Sequence, residues 1–120
     1  MGRDRRDQKL LLHDLDAVES AMEEHLETVR YCMAQSRELR ELIASGVDVN
    51  DALLAGRMAE LRKSLTGSIK ELEDTRHQSR LSLVAVGLRE GMSIGDFSRI
   101  WGISRQLASR YAREARTNDT

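Results

Sequence analysis

The 120-residue chain contains no proline, where average usage of about 5% would supply roughly six. Cysteine is limited to Cys32, so no intrachain disulfide can form, and no Cys/His spacing resembles a zinc ligand set. Aromatics make up 3% of the chain and charged residues 32%. That balance suits long solvated helices and disfavours a sheet-built core. No apolar run approaches the ~18 residues of a membrane span. The N-terminus offers only Leu10, Leu11 and Leu12 before acids return, unlike a signal peptide, so a reducing, cytoplasmic location without membrane contact is expected.

What is present is helical periodicity. From Lys9 to Ala44, steps of four and three from Leu11 reach Leu15, Val18, Met22, His25, Val29, Cys32, Ser36, Leu39 and Ile43. Eight of these ten positions are apolar, which sustains a heptad for nearly five repeats. Leu12, Leu26 and Met33 lie beside the seam and widen it, so packing against more than one helix is expected. Ser45-Gly46 is a stop signal, with Asp48 or Asn50 as the next N-cap. A connection this short folds the next helix back antiparallel. That helix begins near Asn50 and carries Leu54, Met58, Leu61, Leu65, Ile69 and Leu72 on one face. Gly56 and Gly67 each weaken it by ~1 kcal/mol relative to alanine.

Residues 73–80 contain no aliphatic side chain and no helix breaker, which predicts a continuous, exposed helical connector. Leu81, Leu83, Val84, Val86 and Leu88 then restart an apolar surface that ends at Gly91. Ser93 with Asp96 forms a capping-box pattern, and Phe97, Ile100 and Trp101 follow at helical spacing. Gly102 ends that short helix, Ile103 seals the turn, and Ser104 caps a second helix with Leu107, Ala108 and Tyr111 inward.

Net charge is −1, but it is unevenly placed. Residues 1–79 hold 12 Lys/Arg against 16 Asp/Glu, whereas residues 80–116 hold seven arginines against three acids. Arginine is suited to bidentate contacts with phosphate or guanine, so the basic segment is expected to meet nucleic acid.

Residues 80–116 resemble the helix-turn-helix family of bacterial DNA-binding proteins. The resemblance rests on Phe97, Ser98, Trp101, Gly102, Ile103, Ser104, Arg105, Ala108, Ser109, Arg110 and Tyr111, preceded by Leu88–Ile94 as the end of helix one and the start of helix two. Two positions depart from the family pattern: Ser98 stands for the usual alanine, and Ala108 for a larger aliphatic residue that Trp101 and Tyr111 could replace in bulk. The resemblance implies that the second short helix enters the major groove. Arg105, Gln106, Ser109 and Arg110 then face base edges, with arginine matched to guanine and glutamine to adenine. Arg113, Arg116, Arg99 and the helix start at Ser104 are candidates for phosphate contact, with Arg80 and Arg89 as further candidates. Arg3, Arg5 and Arg6 could form a minor-groove arm, but their interleaving with Asp4 and Asp7 favours a solvated helix start.

Trp101 and Tyr111 read as core residues, Cys32 as a small buried apolar residue, and His25 as a hydrogen-bonded seam residue. His13, His25 and His77 are too scattered to form a metal or catalytic set, and no nucleophile–base constellation is present. No enzyme activity, cofactor or metal is expected, and no sensor pocket is legible.

The expected architecture is all-α: a helical hairpin for oligomerisation (1–79), a three-helix DNA-binding domain (80–116), and a disordered tail (117–120). The expected function is sequence-specific binding of double-stranded DNA by a homodimer, as a bacterial or phage transcription regulator in the nucleoid. Its dimer interface is expected at Leu11, Leu15, Val18, Met22, Val29, Leu54, Met58, Leu61 and Leu65. An alternative reading makes residues 9–72 an adaptor that docks a protein partner and tethers it to DNA, in partition, packaging or nucleoid structure.

Overall fold

The architecture was obtained as a computed structural model that describes residues 2–118, with the side chains of residues 2–4 and 118 outside the description. The described residues form five helices and no strand: α1 Gly2–Ala44, α2 Val49–Ala55, α3 Met58–Arg89, α4 Ile94–Trp101 and α5 Arg105–Asn118. A long N-terminal antiparallel hairpin is followed by a three-helix arrangement made from the end of α3, α4 and α5. By contacts, the chain divides into two compact units.

The first unit comprises residues 1–18 and 74–120, so it takes in the start of α1 as well as the C-terminal helices. The expected boundary at residue 79 follows chain order, whereas contacts group the start of α1 with the C-terminal helices. The Ser82 hydroxyl donates to the Asp14 carboxylate, and Arg89 forms an ion pair with Asp7. Along the same stretch Val18 is buried, and Leu11 and Leu15 are half-buried. These three expected interface residues are therefore largely covered within one chain. The unit's core is Leu81, Val84, Phe97, Ala108, Ala112 and Ala115, with Leu88, Met92, Ile94, Ile103 and Tyr111 packed around it. Three alanines one turn apart let the α5 backbone approach its neighbours closely, and the bulk comes from Val84 and Phe97.

Gly87 is a contact that the sequence reading did not single out. A Cβ there would stand 2.6 Å from Phe97 Cζ and 2.8 Å from Met92 Sδ, so the ring packs directly on the α3 backbone. The expected exposed connector is also different in fact. α3 is continuous across residues 73–80, as expected, but Ser79 is buried and His77 and Arg80 are half-buried. α5 supplies the partners of His77 and Arg80, Glu114 and Tyr111, while the Ser79 hydroxyl donates to Arg76 O of its own helix, and aliphatic periodicity registers neither.

The second unit, residues 19–73, holds the rest of α1, all of α2 and the first half of α3. Glu41, Leu42 and Ile43 carbonyls accept from Ser45, Val47 and Gly46 amides at 3.0–3.1 Å, closing α1 through Gly46. The Asp48 carboxylate then caps α2 by accepting from Asp51 N at 2.8 Å. The helix expected to run unbroken from Asn50 stops at Gly56, whose extended backbone (φ −95°, ψ 162°) separates α2 from α3. Gly67, by contrast, stays within α3. His25 Nδ1 lies 2.7 Å from Ser68 Oγ, a hydrogen bond joining the two arms of the hairpin. Cys32 is a half-buried free thiol.

α5 continues through Asn118, and the Thr117 hydroxyl donates to Arg113 O at 2.9 Å, so the chain is helical past the expected boundary at 116. Residues 119 and 120 of the expected tail lie outside the described residues. At the other end, Arg5 and Arg6 are exposed in the first turns of α1, and the Arg3 side chain is outside the description.

Candidate nucleic-acid interface

The candidate interface is built on the α4–turn–α5 segment, and each of its joints has a local cause. Ser93 Oγ accepts from Asp96 N at 3.1 Å while the Asp96 carboxylate accepts from Ser93 N at 2.8 Å, a complete capping box. These bonds, with Arg99 beside the carboxylate, hold the Asp96 carboxyl below its ordinary value of 3.8. α4 ends at Gly102, whose φ of 65° and ψ of 37° place it in the left-handed region. A side chain there would cost about 1–2 kcal/mol. Ile103 N donates to Ser98 O at 3.1 Å, and Ser98 Oγ donates back to Ile103 O at 2.6 Å. The hydroxyl at position 98 thus fastens the turn, a bond that alanine could not make. Ser104 Oγ then accepts from Leu107 N at 3.1 Å and starts α5.

With Ala108, Ala112 and Ala115 buried, the opposite face of α5 is set by helical geometry. Gln106, Arg110 and Arg113 fall in one row of that face at spacings of four and three, and all three are exposed. Arg105 and Arg116 are exposed on the adjoining row, where Ser109 is half-buried. Ser104 is exposed at the helix start, its hydroxyl engaged as the cap. Of the expected contact residues, then, Arg105, Gln106, Arg110, Arg113 and Arg116 share one accessible surface. Arg99 stands apart on α4, paired with Asp96.

Two further arginines do not join that surface. Arg89 is paired with Asp7. Arg80 Nη1 donates to Tyr111 OH at 3.0 Å and lies 3.3 Å from His77 Nδ1, with the guanidinium carbon 4.7 Å from the Tyr111 ring centroid. Because His77 Nδ1 faces a donor that cannot accept, the ring proton of neutral His77 belongs on Nε2, where it donates to Glu114 Oε2 at 2.8 Å. Glu114 Oε1 in turn lies 4.0 Å from Arg110 Nε. This cluster behind the exposed face was invisible to the sequence reading, because its two groups, His77 with Arg80 and Tyr111 with Glu114, are 31 or more residues apart and join only in the fold.

The apolar side of α4 also differs from expectation. Phe97 is buried, but Ile100 is 70% exposed and Trp101 37% exposed, stacked on Phe97 with centroids 5.5 Å apart. Trp101 is thus an edge residue and does not fill the space beside Ala108. No group of His, Cys, Asp or Glu that could hold a metal ion occurs among the described residues. No described helix is long and apolar enough to cross a membrane. Comparison with protein-family models, with curated proteins and with solved structures gives no match to this chain.

Proposed function

We propose that this chain is a homodimeric, sequence-specific double-stranded DNA-binding protein of the helix-turn-helix kind, acting as a transcription regulator in the cytoplasm, on the nucleoid. The observation that carries the reading is the exposed row of Gln106, Arg110 and Arg113, with Arg105 beside it, on a helix positioned by a left-handed glycine turn. Arg105 and Arg110 are assigned to guanine edges, Gln106 to an adenine edge, and Arg113 and Arg116 to phosphates. The Glu114 carboxylate near Arg110 keeps that face from being uniformly basic, which favours selective contact over general attraction to phosphate.

Dimerisation is assigned to residues 19–73, where Met22, Leu26, Tyr31, Leu54 and Met58 are exposed. Of the other expected interface residues there, Val29, Leu61 and Leu65 are half-buried and border these side chains along the hairpin. Two heads on a near-symmetric site multiply the affinity of one through effective concentration. The test is selection from a genomic fragment pool across salt concentrations, beside Arg105→Ala/Arg110→Ala. A short inverted repeat with a steep salt slope, lost in the double variant, is the expected result. Absence of binding at ~50 mM salt, where phosphate contacts are strong, would overturn the reading.

A further inference from the structure

A groove of about 290 Å³ opens on the first unit between α3, the turn before α5, and α5 itself. Its lining is chemically selective. Leu83 and Ile103 are apolar, Trp101 and Tyr111 supply two aromatic surfaces, Ser79 is a small polar group, and the charged residues are Arg76 and Arg80. No carboxylate lines it.

Arg80 is fixed before any ligand arrives. Its guanidinium rests on the Tyr111 ring, and its two side-chain hydrogen bonds, to Tyr111 OH and His77 Nδ1, both use Nη1. Nη2 and Nε therefore remain for an acceptor. A guanidinium held in this way loses little side-chain entropy when it binds a planar, two-oxygen anion. The aromatic and aliphatic walls would gain nothing from a hydrated inorganic ion, but would cover a flat ring.

The geometry points to a binding site for a small planar organic anion, an aromatic carboxylate whose ring lies against Trp101 and Tyr111 and whose carboxylate meets Arg80. The pocket's walls include the helix that carries Arg105, Gln106 and Arg110. On the proposed function, which this consequence rests on, an occupant would act as an effector by bracing α3 and the turn against α5.

Trp101 is the single tryptophan of the chain and lines this groove, so its emission and its indole N–H resonance report on an occupant; it also borders a cavity formed with Phe97 and Ile100, and the Arg80 variants assign the response to this groove. The full-length protein is titrated without DNA, using benzoate, its uncharged counterpart benzyl alcohol, and inorganic phosphate. Benzoate should shift the Trp101 signals saturably in the millimolar range, as suits so small a ligand. Benzyl alcohol and phosphate should each bind at least about tenfold more weakly. Arg80→Gln should remove the preference for benzoate over benzyl alcohol, and Arg80→Lys, which keeps the charge and loses the fork, should reduce it if the glutamine variant does not fold. An unsaturable benzoate response, an equal response to benzyl alcohol or phosphate, or full preference in the folded Arg80 variants would overturn the site. Because no DNA is present, these outcomes are separate from failure of the DNA reading, which the fragment selection decides.

Discussion

The two compact units spend their apolar residues in opposite ways. In the unit formed by residues 1–18 and 74–120, Val84 and Phe97 are fully or almost fully withdrawn from solvent, and three alanines of α5 close over them. In residues 19–73 the buried apolar residues are Ala21 and Ala52, two of the smallest side chains, while Met22, Leu26, Tyr31, Met33 and Leu54 remain exposed. A unit of the first kind carries its own stabilisation. In the second, the helices satisfy their backbone but leave most of the apolar stripe unused, and burial of that stripe is the main driving force available to such helices.

That contrast gives the largest expected effects. Phe97→Ala removes a buried ring that packs on the Gly87 backbone, and should cost about 3–5 kcal/mol in urea unfolding. Leu54→Ala, at a side chain 75% exposed, should leave the stability of the isolated chain within about 0.5 kcal/mol. Equal costs at the two positions would erase the distinction between the units. Next in size is the double change Met22→Glu/Leu26→Glu on the exposed hairpin face. It should weaken self-association by at least about tenfold in sedimentation equilibrium, with the Trp101 environment unchanged. Undiminished association would place the contact between copies elsewhere and leave the hairpin stripe for another partner.

Smaller effects sharpen the picture within the first unit. Gly102→Ala forces a Cβ into the left-handed region and should lower stability by about 1–2 kcal/mol, read from the urea midpoint. Because the strain falls between α4 and α5, DNA affinity on the proposed function should drop by more than global unfolding explains. A loss of stability alone would make the turn a matter of folding and not of positioning.

How much of this was legible beforehand follows from what each signal reports. Heptad spacing gave α1, the short connection after Ser45-Gly46 gave its antiparallel return, and the Ser93–Asp96 and Ser104 caps with Gly102 gave the limits of α4 and the start of α5, because capping is decided by neighbours in sequence. The exposed row on α5 followed from placing Ala108 inward. Periodicity failed where contacts join distant segments. Asp14 with Ser82, and Arg80 with Tyr111 and His77, draw polar side chains into cover that a hydrophobic pattern assigns to solvent. Trp101 was misplaced for the converse reason: apolar character and helical spacing put it on the inner face, but Phe97 and Val84 already occupy the core. The break at Gly56 was visible as a weakness, yet propensity alone could not tell it from Gly67, which remains helical.

The smallest expected effect is a pH dependence carried by the capping box of α4. Hydrogen bonds from the Ser93 amide and hydroxyl region, with Arg99 nearby, favour the ionised form of Asp96 and lower its pKa from the ordinary 3.8. A carboxyl whose folded pKa is depressed contributes stability above its unfolded value, and that contribution is lost as pH falls through the folded one. The wild-type cap should therefore be fully present well above 3.8, begin to weaken as pH approaches that value, and weaken most below it. Asp96→Asn, which cannot ionise, removes this component, so the difference in urea midpoint between wild type and variant should shrink on acidification below 3.8. The residue sits at the solvent-facing start of α4, and salt should screen the Arg99 contribution first. A wild-type/variant difference that stays constant down the acid limb would mean that the Asp96 charge adds nothing beyond the hydrogen bond an asparagine can also accept.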